Sequence, residues 1–233
     1  MPGAQLPEDF LSGAPAPGWF GKIPALGDFA TRRLTPSFTE RWDTWLAGGL
    51  EAARLALGTV WLESYLRGPI WRFALSPTLI DDQYWFGVMM PSVDRVGRYF
   101  PLTIAARWPL PPGPALAPLE IWLEQIAHAA LDCLAPNSNV DSLETTLAQL
   151  SLPSFHPPAM ESGAGSDGVI VRLGTGAGLG SAFASAAAWL PLREYRGASF
   201  WWPRIEANPT PILSVCRGLP ASALLVRMLS GAL

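Results

Sequence analysis

Hydrophobic positions recur three and four residues apart from Pro36 onward: Phe38, Trp42, Trp45, Leu46 and Leu50 share one face if the segment is helical. Arg41, Asp43, Thr44 and Glu51 occupy other positions, and Pro36-Ser37 suits a helix start. A second helical stretch, Thr59 to Leu66, carries Val60, Trp61, Tyr65 and Leu66 before Gly68-Pro69 stops it. The pattern then changes. Residues 70–75 (Ile-Trp-Arg-Phe-Ala-Leu), 84–90 and 99–107 are rich in aromatic and branched side chains, with Pro77, Asp81-Asp82, Pro91 and Pro109 between them, and read as strands. Only eight residues separate 84–90 from 99–107, too few for a helical crossover, which predicts an antiparallel pair.

Beyond the proline-rich 109–118 link, Leu119, Trp122, Leu123, Ile126, Ala130, Leu131 and Leu134 form the buried stripe of a long helix. Pro118 fits its first turn and Glu120 complements its dipole. Asp141 and Glu144 have capping-box spacing ahead of Leu143, Leu147 and Leu150, predicting a shorter helix. Residues 151–167, rich in Pro, Ser and Gly, read as a loop or linker. Gly168 to Leu173 reads as a strand and Ser181 to Leu190 as an alanine-rich helix. Short strands at 199–202 and 212–216 and a helix at 221–229 complete the pattern. Interleaved strands and helices predict a layered α/β/α sandwich around a mixed, partly antiparallel sheet. The expected organisation is a flexible leader, 1–17, and a single α/β domain, 18–233, in which 151–180 forms an internal loop or linker.

Composition narrows the function classes. Hydrophobic residues make up 49% and charged residues 15% of 233, so a sizeable core is available and disorder is excluded for most of the chain. A net charge of -3 gives no basic surface for nucleic acid. Lys22 is the only lysine, so nearly all positive charge is arginine, the side chain suited to bidentate pairing with carboxylates. Cys133 and Cys216 lie far apart in apolar surroundings, with no metal-ligand spacing, as reduced thiols in a cytoplasmic protein would. Acidic Glu8 and Asp9 stand where a signal peptide needs positive charge, and no apolar run reaches the ~20 residues of a membrane span. A soluble, cytoplasmic protein is expected.

Several strings carry a resemblance. Residues 18–29, Gly-Trp-Phe-Gly-Lys-Ile-Pro-Ala-Leu-Gly-Asp-Phe, resemble the opening pattern of the TagF/ImpM family of type VI secretion-associated proteins. Trp42 to Leu46 is similar to that family's first helix, and Pro69-Ile70-Trp71-Arg72-Phe73 to one of its strands. Residues 90–102, Met-Pro-Ser-Val-Asp-Arg-Val-Gly-Arg-Tyr-Phe-Pro-Leu, resemble its longest signature, and Ser199-Phe200-Trp201-Trp202 and Gly218-Leu219-Pro220 resemble later landmarks. Residues 109–118 and 156–180 match nothing in the pattern. The resemblance implies an α/β sandwich and a cytoplasmic, post-translational repressor of type VI secretion that acts through a forkhead-associated-domain scaffold protein. Some relatives carry a fused serine/threonine phosphatase; no phosphatase activity is expected here.

Two polar constellations stand out. Lys22 with the Gly27-Asp28 turn forms either a contact patch for a partner or a structural turn capped by Asp28. Asp94, Arg95 and Arg98, between two apolar strands, either bind a partner's carboxylate or phosphate or fix their own loop, Asp94 pairing with Arg98 or Arg72. Adjacent Trp201 and Trp202 face opposite sides of a strand, so one of them can anchor a partner unless both sheet faces are covered. The 174–180 run, Gly-Thr-Gly-Ala-Gly-Leu-Gly, sits between a strand and a helix as a nucleotide loop would, yet no GxGxxG register fits and no Gly-Lys-Ser/Thr follows. A nucleotide or small-molecule module is therefore the alternative reading. His128 and His156 are isolated, and Ser92 lacks a nucleophile elbow, so no catalytic residue, metal or cofactor is expected.

Overall fold

The structure is a computed structural model describing residues 16–108, 116–150, 160–162, 169–171, 196–204 and 212–231. Strands β1 (Gly18–Gly21) and β2 (Ala30–Arg32) lead into α1 (Pro36–Leu57), a single 3₁₀ turn and α2 (Trp61–Leu66). Next come β3 (Trp71–Leu75), β4 (Tyr84–Met90), β5 (Leu102–Trp108), α3 (Leu116–Asp132) and α4 (Val140–Gln149). The last elements are β6 (Met160–Ser162), β7 (Val169–Val171), β8 (Ala198–Pro203), β9 (Ser214–Arg217) and α5 (Ser222–Ser230).

Seven strands form one open sheet in the order β2-β1-β5-β4-β3-β8-β9, and β6 pairs with β7 separately. The layered α/β reading holds, but the mixed sheet does not: every neighbouring pair is antiparallel. A helix between strands suggested a parallel crossover. Here α1 carries the chain from β2 to β3, which lie with three other strands between them, so no parallel neighbours result.

Side chains alternate between two cores, one on each face. On β4, Phe86 and Val88 join the core that α3 and α4 cover, whereas Trp85 and Met89 join the core under α1, α2 and α5. Because helices cover both faces, β3 and β4 are buried along their whole length, unusual for antiparallel strands. That settles the tryptophan pair at β8. Trp201 is fully buried against Trp42, Trp45 and Phe73, and Trp202 is partly buried against the opposite core. Neither is the exposed anchor that one open face would have provided.

Three core tryptophans bond their indole N–H groups to distant parts of the chain, while Trp61 Nε1 is buried without a partner among the described residues. Trp42 Nε1 donates to Thr103 Oγ1 at 2.8 Å, Trp45 Nε1 to the Pro220 carbonyl at 2.8 Å and Trp71 Nε1 to the Met228 carbonyl at 3.0 Å. The last two bonds fasten α1 and β3 to the C-terminal segment. Close approach of α1 to α5 needs Gly49: a β-carbon there would sit 2.1 Å from the Leu225 side chain.

Local signals differ in detail. The α1 cap is Thr35, whose hydroxyl accepts from the Phe38 amide at 3.3 Å, with Pro36 first in the helix. The capping box of α4 is Asn139 with Ser142, not Asp141 with Glu144. Glu144 is occupied elsewhere, accepting from Trp19 Nε1 at 2.6 Å and from the Arg33 guanidinium. β5 starts at Leu102 rather than 99, because Tyr99 makes only an isolated bridge with Val93. β6 falls inside the stretch read as loop or linker. Of the 1–17 leader only Ala16 and Pro17 are described, and Arg33 Nε and Nη2 donate to the Pro17 carbonyl. The 181–190 helix lies outside the described residues.

Candidate functional site

The β1–β2 loop and the β4–β5 loop meet at one end of the sheet, and this contact merges the two polar constellations into one. The Arg95 amide donates to the Leu26 carbonyl at 2.8 Å. Lys22 Nζ lies 2.7 Å from Asp94 Oδ2, with both side chains almost wholly buried. Arg98 Nε donates to the same oxygen at 2.7 Å, and its Nη2 reaches across to the Gly27 carbonyl and to Asp28 Oδ1 at 3.4 Å.

Asp94 is the hub. Its Oδ1 accepts from the backbone amides of Val96 at 3.0 Å and Arg98 at 2.9 Å, the geometry of an Asx turn. Gly97, at φ 84°, gives the turn the left-handed residue it needs. Burial alone would raise the Asp94 carboxyl. Lys22, the Arg98 amide and guanidinium, and the Val96 amide outweigh it and hold the group well below the usual carboxylate range. With four donors on two oxygens, Asp94 is a fixed anion rather than a base. Asp94 therefore pairs with Arg98, as one expectation had it, and with Lys22. Arg72 instead faces Glu120 and Glu124 of α3 across the sheet.

Lys22 is not an exposed contact residue: it is 3% accessible. Its Nζ lies 4.6 Å from the centre of the Phe29 ring. Phe29 in turn packs on Phe100 at 4.8 Å and Phe20 at 6.0 Å between centroids, yet stays 45% exposed. Asp28 is exposed and accepts from the Phe29 amide at 2.9 Å. Arg95 and Val96 are also exposed.

Two contributors escaped the sequence reading. Phe29 ended a recognised string and was given no role of its own, and only the fold stacks it over Lys22. Tyr65 read as one helix-face aromatic among several. In the fold its hydroxyl donates to the Ser92 carbonyl at 3.0 Å and accepts from the Ser92 amide at 2.9 Å, clamping the start of the Asp94 loop to α2. Burial pushes that phenol above its usual range.

The remaining candidates lie apart. His128, exposed on α3, has Nδ1 2.9 Å from the Glu124 carbonyl and 3.4 Å from its carboxylate. His156 and the 174–180 glycine run lie outside the described residues. Among the described residues no group of three His, Cys, Asp or Glu side chains is placed to hold a metal ion. No helix among them is long and apolar enough to cross a membrane.

The sequence model of the TagF N-terminal domain, described as type VI secretion system-associated, matches residues 18–150. The chain belongs to the TagF family. It is a type VI secretion-associated protein by that membership. The crystal structure of PA0076 from Pseudomonas aeruginosa PAO1 is similar to it, with 36% sequence identity, a TM-score of 0.75, and 93% of this chain covered against 94% of that one. No curated protein matches the sequence. The stretch matched to the TagF N-terminal domain holds β1–β5 and α1–α4, including both loops of the site. β8, β9 and α5 lie beyond it: the two strands extend the same sheet past β3, and α5 packs on one of its faces.

Proposed function

We propose that this TagF protein is a non-catalytic regulator on the cytoplasmic side of type VI secretion, a post-translational repressor that binds a forkhead-associated-domain scaffold protein. Family membership supplies the pathway. The observation that supports binding over turnover is the saturation of Asp94 by Lys22, Arg98 and two backbone amides. A general base or nucleophile needs a free lone pair and a pKa near the working pH. Asp94 has neither, and the only lysine is spent holding it. Such an arrangement fixes two loops and keeps the residues around them exposed, which suits recognition of a protein surface.

The test is direct. The purified protein is mixed with the forkhead-associated scaffold of the same bacterium and the pair is followed by gel filtration and calorimetry. Effector release is measured after deletion and after overproduction of the protein. A stable complex, higher secretion on deletion and lower secretion on overproduction are expected. A folded protein that neither binds the scaffold nor changes secretion would overturn the proposal.

A further inference from the structure

The charges at the loop end do not balance. Lys22, Arg95 and Arg98 supply three positive charges against two negative ones from Asp28 and Asp94, leaving one positive charge in excess on a chain whose net charge is -3. Its location is specific. Lys22 is spent on Asp94, and Arg98 is shared between Asp94, Asp28 and the Gly27 carbonyl. Among the described residues the Arg95 side chain has no ion pair or hydrogen bond, although its own backbone is fixed to Leu26. The guanidinium lies beside the neighbouring loop, 3.5 Å from where a β-carbon on Gly27 would stand. A charge-bearing fork is thus held at the surface by a rigid backbone and left without a counter-ion among the described residues.

Apolar surface lies next to it in the same two loops. Phe29, 45% exposed, is stacked on Phe20 at an interplanar angle of 14° and meets Phe100 edge-on at 79°, over the buried Lys22 ammonium. Its ring orientation is therefore set before any partner arrives. Val96, 65% exposed, follows Arg95 directly and is pinned through its amide to Asp94. Rigid aromatic and arginine side chains are the residue types that carry binding energy at protein interfaces, and fixing them in advance lowers the entropic cost of association.

We propose that this loop end is the partner-docking surface: Arg95 receives a carboxylate from an acidic segment of a protein partner, between apolar contacts to Phe29 and Val96. The occupant follows from charge and shape. A guanidinium pairs bidentately with a carboxylate. A single uncompensated cation is too little for a nucleic-acid backbone, where several phosphates are neutralised together. Exposed Phe and Val favour a partner with apolar side chains beside the acid. Lys22, Asp94 and Arg98 act underneath as positioning residues.

The proposal rests on the regulatory reading above, because the forkhead-associated scaffold is the partner used to test it. Binding of the purified scaffold is measured by biolayer interferometry for the wild type, Arg95→Glu, Val96→Asp and Phe29→Ala, with Arg41→Glu on α1 as a charge-matched control. Arg95→Glu is expected to weaken binding by ~30-fold or more and Phe29→Ala and Val96→Asp by ~10-fold, while Arg41→Glu stays within about twofold. The wild-type association rate should fall with added salt, and that of Arg95→Glu should not. Arg95 and Val96 are exposed, so these two variants keep the test valid if Phe29→Ala lowers stability. If the wild type binds and the three variants bind within twofold of it, the surface is wrong and the regulatory reading survives. If the wild type fails to bind, both fall.

Discussion

Tyr65→Phe removes one oxygen and tests how the loop at the site is held. The phenol is 1% accessible and makes two bonds, both to the backbone of Ser92. Their loss is unequal. The Ser92 carbonyl keeps a second donor, the Phe100 amide at 3.1 Å, whereas the buried Ser92 amide has no other partner among the described residues. One stranded buried amide costs about 1–3 kcal/mol, and the aromatic packing on Trp61 and Tyr99 is retained. For a chain of this size that corresponds to a fall in Tm of about 2–12 °C. Equilibrium urea unfolding should show a lower midpoint with an unchanged slope, and hydrogen exchange should show faster exchange at Ser92. Alkaline pH gives a second readout. Burial raises the folded-state pKa of the phenol, so its stabilisation is complete below the unfolded value near 10 and is lost as pH rises beyond it. The wild type should therefore lose stability above pH about 10 faster than Tyr65→Phe. An unchanged urea midpoint together with unchanged Ser92 exchange would refute the reasoning.

Truncation after Leu150 keeps the stretch matched to the TagF N-terminal domain but uncovers the β3 edge, Trp42 and Trp71. The fragment should be insoluble or bind a hydrophobic dye where the full chain does not, and a cooperative, monomeric fragment would contradict this. Gly49→Ala should destabilise the fold by about 1–3 kcal/mol through collision with Leu225, and Leu225→Ala should make the Gly49 change nearly neutral in a double-mutant cycle; strict additivity would rule out the contact. Burial, reinforced by Asp132, pushes the Cys133 thiol up to about 12, so iodoacetamide at pH 8 should leave it unlabelled in mass spectra until the protein unfolds. Native labelling at the rate of a free thiol would disprove that.

Periodicity read the long elements well because each has one dominant determinant. The stripe from Phe38 to Leu50 packs as a single face of α1, and β4 matched its 84–90 range because both its faces are buried. What failed was set by contacts distant in sequence. Asp141 and Glu144 had the spacing of a cap, but spacing does not say that Trp19 and Arg33, more than a hundred residues away, claim Glu144. The mixed sheet failed for a similar reason, since strand order decides whether a helical crossover joins neighbours. At the site, the residue types in both loops were legible and their meeting was not. Lys22 looked exposed because lysine usually is; only the fold sets its partner, 72 positions away, beneath the Phe29 ring.

That burial bears on where recognition occurs. Taking an ammonium and a carboxylate out of water costs free energy that their attraction alone need not return, so the pair is weak grounds for stability. Its consequence is geometric: one carboxylate ties the β1–β2 loop through Lys22 to a turn closed by the Val96 and Arg98 amides. Helices cover both sheet faces. One edge strand, β2, has only three residues and ends in Arg32, the short, charged form that discourages further strand pairing. The strand ends thus offer the surface least committed to the fold, and at this end Arg95 is without a counter-ion among the described residues. An apolar pair could have packed these loops together, but it would not have aimed Arg98 at the Gly27 carbonyl or set Lys22 under Phe29. In this TagF protein the buried charges determine where the exposed ones stand.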